Sequence, residues 1–350
     1  MGKYKVIQVG CGKMSAYTMK YALDKGYEIV GALDISSELI GKDIGNVLGN
    51  GDTGVVIEDI ANLNDLISRV KPDIAIVTTT SLIGELDEIL TTLASNGVNA
   101  ITTCEEAFYP SVSNPILTEK LDKLAKDNNC TITGTGYQDV FWGNLIYTLG
   151  GATHTITKIK GSSSYNVEDY GIALAKAHGA GLSKEEFDKT IAAADNISDN
   201  ERQELINNGT YTPSYMWNVV PWLADRFGLS LIRMTQKCVP IIAEEDIDSS
   251  TLGTTIKKGF ATGMSAIVCG ETKEGIVIEA ECIGKVYGEN DVDTNAWTIE
   301  GEPSTSVVIT KPDTVRLTCA SVVNRIEDVI LSNPGYVPTS QMGEIEYINR

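Results

Sequence analysis

The chain has 350 residues, 42% of them hydrophobic and 21% charged, and a formal net charge of −19. That length predicts two domains of an ordinary globular protein, because one hydrophobic core stops growing near ~250–300 residues. The acidic balance excludes nucleic acid as a partner, since phosphate binding needs basic surface, and no apolar run approaches the ~18 residues of a membrane-spanning helix.

In chain order, short β-branched runs alternate with amphipathic stretches over the first 150 residues. Strands are expected over 5–9, 28–33, weakly over 55–58, then over 73–78, 100–103 and 131–134. Helices fall between them at 14–24, 63–70, 82–95 (stopped by Gly97) and 115–127. Uninterrupted apolar strands alternating with helices build a parallel, doubly wound sheet, so residues 1–150 read as an α/β domain of Rossmann type.

Past Gly150 the character changes. Ser183-Lys184-Glu185-Glu186 and Ser198-Asp199-Asn200-Glu201 pair a cap hydroxyl with a carboxylate three residues on, and so open short helices. A helix over 214–227, ended by Gly228, carries Pro221, which predicts a kink. From 229 to 309 the pattern is strand-like, with a hairpin of 266–269 and 276–283 and a further strand at 306–310. This predicts an α+β second domain with a mostly antiparallel sheet over 151–312. A final helix over 314–331, stopped at Asn333-Pro334-Gly335, is expected to return with the tail 313–350 onto the Rossmann domain.

Gly10-Cys11-Gly12-Lys13-Met14-Ser15 follows the first strand and opens a helix. Gly10 permits the tight turn, Gly12 lets backbone approach a pyrophosphate, and the N–H groups at Lys13 and Met14 face it. Ser15 stands at the third glycine position. Asp34 ends the second strand, 22 residues beyond Gly12, where a carboxylate binds the adenosine ribose hydroxyls. No arginine follows it, which favours NAD; Ser36, Ser37 or Lys42 would serve a 2′-phosphate if the cofactor were NADP. Thr78, Thr79 and Thr80 end another strand at the same carboxyl edge, beside the cofactor.

The next strand leads into Cys104-Glu105-Glu106, near the expected nicotinamide. A partly desolvated carboxylate there is a candidate general base near neutral pH; the competing reading makes one of the two a helix start. Cys104, with no histidine nearby, reads as a packing residue against the cofactor rather than a nucleophile. Tyr137, Gln138 and Asp139 follow the last Rossmann strand between glycines and are candidates for the substrate pocket, with Phe141 and Trp142 as apolar wall. Asn166, within the polar stretch 162–169, and His178, beside Gly179-Ala180-Gly181, are candidates from the second domain.

Seven cysteines are scattered and never spaced C-x-x-C, and only His154 and His178 occur, so neither disulfides nor a metal site is expected. The polar lead before Val6–Val9 is no signal-peptide core, which makes the cytoplasm the expected compartment.

The succession of these motifs resembles the dihydrodipicolinate-reductase-like dehydrogenases that include 2,4-diaminopentanoate dehydrogenase and the native amine dehydrogenases. The matching residues are Gly10-x-Gly12-x-Met14, Gly31-Ala32-Leu33-Asp34, the apolar 73–78 strand, and Cys104-Glu105-Glu106 with Tyr109-Pro110. They continue through Gly134-Thr135-Gly136, Gly179-Ala180-Gly181-Leu182-Ser183 and Val323-Asn324-Arg325-Ile326 with Pro334-Gly335. The resemblance implies reversible oxidative deamination of a small cationic amine with NAD or NADP, a glutamate at Glu105 or Glu106 as acid/base, and a homodimer. Glu105, directly after the strand, is the preferred base, and Asp139 would hold a second amino group. Two departures are Ser15 and the Tyr137-Gln138-Asp139 segment, which stands where relatives carry an Asn-Pro-Gly-like turn. A true dihydrodipicolinate reductase would show a His-His-x-x-Lys site, which is absent. A non-catalytic nucleotide-binding regulator is the reading from a different class.

Overall fold

The computed structural model describes residues 4–49 and 51–349. The chain divides into two compact units, one formed by Met1–Asn144 with Asp313–Arg350 and the other by Leu145–Pro312.

The first unit contains β1 (Lys5–Val9), β2 (Glu28–Asp34), β3 (Ile57–Asp59), β4 (Ile74–Val77), β5 (Asn99–Thr102) and β6 (Thr131–Gly134). The second contains β7 (Thr155–Asn166), β8 (Leu231–Ile242), β9 (Ile247–Ser249), β10 (Thr254–Ile256), β11 (Ala261–Thr272), β12 (Val277–Lys285), β13 (Thr294–Glu302) and β14 (Thr305–Thr310). A last strand, β15 (Gly335–Tyr336), belongs to the first unit.

In the first unit all seven strands pair in parallel, in the order β15-β6-β5-β4-β1-β2-β3. Both faces are covered, which is why β4 is apolar at every position. One face packs Ile7, Val9, Leu33, Ala75 and Val77 against Leu66, Leu90, Leu93 and Leu121; the other packs Val6, Ala32, Ile74, Ile76 and Ile101 against Met19, Val322 and Ile326. Each such side chain, wholly removed from water, contributes about 1.5–3 kcal/mol. The expected doubly wound sheet is present, with local differences. Val55 is not in a strand: its carbonyl accepts from the Ile44 N–H at 2.9 Å, so pairing with β2 begins at Ile57. The closing helix is two helices, Thr314–Asn324 and Ile326–Leu331, broken at Arg325, whose N–H is shared between the Ser321 and Val322 carbonyls.

In the second unit the main sheet runs β14-β13-β7-β12-β11-β8, antiparallel except for the β7–β12 pair. The mostly antiparallel sheet is as expected. Of strand β7 the sequence marks only 162–166, as part of the polar stretch 162–169, because its Thr, Lys and Ser carry no apolar alternation. Pairing supplies what the sequence lacks: Lys158 and Lys160 bridge Glu279 of neighbouring β12 at 2.9 and 3.2 Å. The helix Met216–Phe227 runs through Pro221 and packs on β11 and β12. The Ser183–Glu186 capping box is reciprocal, whereas Ser198 accepts only from the Glu201 N–H.

Candidate active site

The candidate residues of the first unit gather at the carboxyl ends of its parallel strands, where α/β sheets bind their ligands. β1 runs into Gly10 at φ +84°, where a Cβ would lie 2.7 Å from Thr79 Cγ2 and 2.8 Å from the Thr78 carbonyl, so only glycine fits. At Gly12 a Cβ would meet nothing within 4 Å: the space above the turn is open. Gly12 caps the helix Lys13–Asp24, with Lys13 exposed and Met14 half-buried. Ser15, in place of the third glycine, is fully buried and donates to the Gly12 carbonyl at 2.7 Å, so it tightens the turn without blocking it. Asp34 accepts from the Cys11 N–H at 2.5 Å through one oxygen and from the Ser36 N–H at 2.7 Å through the other. A carboxylate oxygen so engaged still has a lone pair for a ribose hydroxyl. A narrow glycine cradle, free N–H groups at a helix start and a strand-end carboxylate fit a dinucleotide's pyrophosphate and ribose. Across the turn Thr78 donates to the Gly10 carbonyl at 3.1 Å, Thr79 is exposed, and Thr80 bonds Glu85.

β5 delivers Cys104, Glu105 and Glu106. Cys104 is fully buried and burial pushes its thiol far up, which removes it as a nucleophile. The two glutamates have different surroundings. Glu106 is almost fully buried; one carboxylate oxygen accepts from the Ile83 N–H and the other from the Ser113 hydroxyl, both at 2.9 Å. Ile83 starts the turn that continues into the helix Asp87–Ser95, so Glu106 satisfies an otherwise orphaned N–H there. Glu105 is partly exposed, and its carboxylate accepts from the Ser81 hydroxyl and from its own backbone N–H. Burial raises both carboxyls above the ordinary range, and the Ser81 hydroxyl pulls Glu105 partly back, as the Ile83 and Ser113 donors do Glu106.

The turn that carries them is clamped. The Glu106 N–H donates to the Ser81 carbonyl at 3.2 Å, and the Tyr336 hydroxyl of β15 donates to the Ala107 carbonyl at 2.6 Å. Beneath, Gly134 of β6 touches it so closely that a Cβ would sit 2.3 Å from the Ala107 oxygen.

After β6 the chain forms a π-helix, Asp139–Asn144, an element frequent at functional sites. Tyr137 stacks on Phe141 at 4.4 Å between ring centroids and meets Trp142 edge-on at 6.1 Å. Gln138 donates to the Thr135 carbonyl at 3.2 Å and is buried. Asp139 does not stand where an ammonium could reach it, contrary to expectation. It is fully buried and accepts from Arg325 Nε at 2.8 Å and Nη2 at 3.3 Å, from Thr135 at 2.9 Å and from Asn144 at 2.9 Å. Arg325, equally buried, also reaches Asp328 and the Gly343 carbonyl, each at 2.7 Å.

In the second unit Asn166 ends β7 and its side chain accepts from the Glu168 N–H at 3.2 Å, capping the turn Val167–Tyr170. His178 uses both ring nitrogens on its own fold: Nδ1 donates to the Leu174 carbonyl at 2.9 Å, which leaves Nε2 to accept from the Tyr165 hydroxyl at 2.7 Å. Burial lowers its pKa, so it is held as the neutral imidazole. Neither side chain is committed to a ligand by these contacts. Among the described residues no three His, Cys, Asp or Glu side chains gather to hold a metal ion, and no helix is long and apolar enough to cross a membrane.

Sequence reading missed Ser81, Tyr336, Arg325 and Gln8, the last a buried amide beneath the glycine-rich turn. Ser81 had a signal, since it follows the threonine run at the carboxyl end of β4. Arg325 stands in the sequence only within the Val323-Asn324-Arg325-Ile326 match to the family, with no role attached, because nothing in a helical sequence announces which arginine will be buried.

Comparison with known proteins agrees with this architecture. The chain is 25% identical to the 2,4-diaminopentanoate dehydrogenase of Acetoanaerobium sticklandii, over 98% of this chain and 96% of that one. A shorter match, 30% identical over 26% of this chain and 33% of the relative, is to the 4-hydroxy-tetrahydrodipicolinate reductase of Methanothermobacter thermautotrophicus. Among solved structures, the amine dehydrogenase from Mycobacterium smegmatis superposes with a TM-score of 0.81 at 36% identity, covering 99% of this chain and 98% of that one. Residues 141–348 match the model of the 2,4-diaminopentanoate dehydrogenase C-terminal domain, and the chain belongs to that dehydrogenase family.

Proposed function

We propose that this protein catalyses the oxidative deamination of a small amine or diamine resembling 2,4-diaminopentanoate, giving a ketone and ammonia, with Glu105 as the general base. The observation that carries the assignment of the base is the unequal exposure of two adjacent carboxylates. Glu106 spends both oxygens on Ile83 and Ser113, while Glu105 is partly exposed at the strand end with its carboxyl raised by burial. The relatives named for amine and diaminopentanoate oxidation supply the reaction class.

The cofactor in this reading is NAD, with NADP as the alternative. Gly10, Gly12, Lys13 and Met14 would hold the pyrophosphate, Asp34 would take the adenosine ribose hydroxyls, and Thr78, Thr79 and Thr80 would line the way to the reactive ring, with Cys104 packed in the core behind rather than against the cofactor. When bound, the nicotinamide supplies the two-electron acceptor for the amine-bearing carbon. Glu105 first takes a proton from the substrate ammonium, because only the neutral amine releases electrons from that carbon. Its negative charge also attracts the cationic substrate. The proton from the ammonium passes to solvent, and the ionised Glu105 then accepts a proton from the water that attacks the iminium carbon; returned to the nitrogen, this proton lets the C–N bond break, so that ammonia leaves and the hydroxyl proton is released as the ketone forms. Tyr137 and Gln138 line the substrate side, with Phe141 and Trp142 as apolar wall.

A homodimer also belongs to this reading. Val239, Ile267, Cys269 and Ile283 stand half-exposed on one face of the six-stranded sheet, opposite the face the helix Met216–Phe227 covers; light scattering at micromolar concentration checks it, and a monomer would remove it. The seven free cysteines fit a reducing compartment, the cytoplasm.

The test is spectrophotometric: reduction of NAD or NADP with 2,4-diaminopentanoate, other diamines and simple amines. Reduction with at least one is expected. Cofactor binding without turnover on any amine would sink the dehydrogenase reading and leave the nucleotide-binding regulator.

A further inference from the structure

β1 is a central strand with both faces covered, a place for uninterrupted apolar residues. Val6, Ile7 and Val9 obey; Gln8 between them does not, and it is fully buried. Its amide is fully used. Nε2 donates to the Gly10 carbonyl at 3.0 Å and to Thr78 Oγ1 at 2.9 Å, and Oε1 accepts from the Thr18 hydroxyl at 2.8 Å. Thr78 in turn donates to the same Gly10 carbonyl at 3.1 Å. The Gly10–Cys11 peptide is thus fixed at both ends: its C=O by Gln8 and Thr78, its N–H by the Asp34 carboxylate.

We propose that Gln8 is a positioning residue for the dinucleotide site, orienting the Gly10–Cys11 peptide so that the glycine-rich turn, the helix behind it and the Thr78 segment meet the pyrophosphate as one preformed surface. The proposal rests on the cofactor reading above. Gln8 touches no part of the ligand; it acts through Gly10, Thr18 and Thr78. Its links run to three separate pieces of the site, β1's own turn, the helix Lys13–Asp24 and the end of β4, which no apolar side chain at that position could join. A preformed surface binds more tightly because less ordering remains to be done on binding.

The fold itself has little need of this amide. Without it, Thr18 still has the Ser15 carbonyl at 3.3 Å and Thr78 still has Gly10, so no hydroxyl is stranded. An apolar replacement of equal length, Gln8→Met, therefore should leave the melting temperature of the cofactor-free protein close to that of the parent. The loss of one hydrogen bond's worth of preorganisation predicts a weaker Kd, by about 5- to 10-fold. Because the pyrophosphate is common to both cofactors, NADH and NADPH should weaken alike.

The experiment titrates NADH and NADPH fluorescence against the parent, Gln8→Met, Thr78→Val and the double variant, with thermal unfolding of each free protein alongside. Thr78→Val is expected to weaken NADH as well, and the double variant by less than the product of the two, since both side chains hold one carbonyl. Gln8→Met within twofold of the parent for NADH, with or without a lower melting temperature, would reduce Gln8 to a core residue and overturn the proposal. If that variant does not fold, the Thr78→Val arm decides: unchanged NADH affinity there overturns it equally. A parent that binds neither nucleotide would instead remove the cofactor reading on which the inference stands.

Discussion

Replacing Glu105 with glutamine tests the chemistry and the electrostatics at once. The amide keeps the size and a hydrogen-bonding oxygen for Ser81 but cannot take a proton, so turnover should fall by about 10²–10⁴, the range for a general base. Stability should move the other way. Burial raises the Glu105 carboxyl above its ordinary range, so holding it ionised at neutral pH costs folding free energy, about 1.4 kcal/mol for each pKa unit of rise. That cost is absent below the unfolded carboxyl value near ~4.3 and grows as pH rises through the folded value. Glu105→Gln should accordingly melt higher than the parent at pH 7 to 9, by about 2–4 °C per kcal/mol in a domain of this size, and the gain should vanish in acid. In the parent, kcat/KM should fall as pH drops through a pKa above the ordinary glutamate range. The control is Glu106→Gln. Its amide can accept from Ile83 and donate to Ser113, so it should keep both hydrogen bonds and retain turnover. Glu106→Ala strands both and should cost about 1–3 kcal/mol. NAD(P)H absorbance and thermal scans over a pH series provide the readouts. Retention of turnover in Glu105→Gln, or its loss in Glu106→Gln with an unchanged melting temperature, would refute the assignment.

Removing the guanidinium in Arg325→Met leaves the Asp139 carboxylate buried without its cation, an expected loss of about 3–5 kcal/mol in urea unfolding. The Asp139→Leu/Arg325→Met double variant should recover part of that loss, and a double variant as unstable as the sum of its singles would contradict the pairing. Gly134→Ala forces a methyl into the Ala107 backbone, 2.3 Å from its oxygen, and should cost about 1–3 kcal/mol while lowering kcat more than it raises the amine KM; unaltered kinetics would show that the turn tolerates displacement. Asp34→Ala should weaken NAD more than NADP in fluorescence titration, and an equal effect on both would exclude Asp34 as the ribose ligand.

Much of the first unit could be read in the sequence because its signals are local. Four-residue apolar strands such as β4, the Gly10 and Gly12 turn and helix stops such as Gly97 each report on their immediate neighbours. The hairpin of β11 and β12 was legible for the same reason. Strand β7 was not, since Lys158 and Lys160 become reasonable strand residues only when Glu279 is beside them, 119 to 121 positions away. The candidate site divides similarly. Glu105 and Glu106 were found as a pair, but what separates them, Ile83 and Ser113 on one and Ser81 on the other, is tertiary. Asp139 misled for the same reason: an acid after a glycine-rich strand end looks available until Arg325, 186 residues later, is seen to occupy it. Gln8 was overlooked because a single polar residue in an apolar strand carries no periodicity.

The short strand β15 governs when the protein can become competent during synthesis. The sheet edge at β6 and the turn that presents Glu105 wait for Tyr336, whose backbone pairs with β6 and whose hydroxyl holds Ala107. By the time that residue leaves the ribosome, the whole of 145–312 has already been made. Until then β6 is an unpaired edge, the kind of surface on which strands of other chains can add. A nascent or truncated chain lacking residues 313–349 would therefore expose a sticky sheet margin and an unclamped Glu105 turn together, so that incomplete molecules should lose the candidate site for the same reason that they become prone to associate.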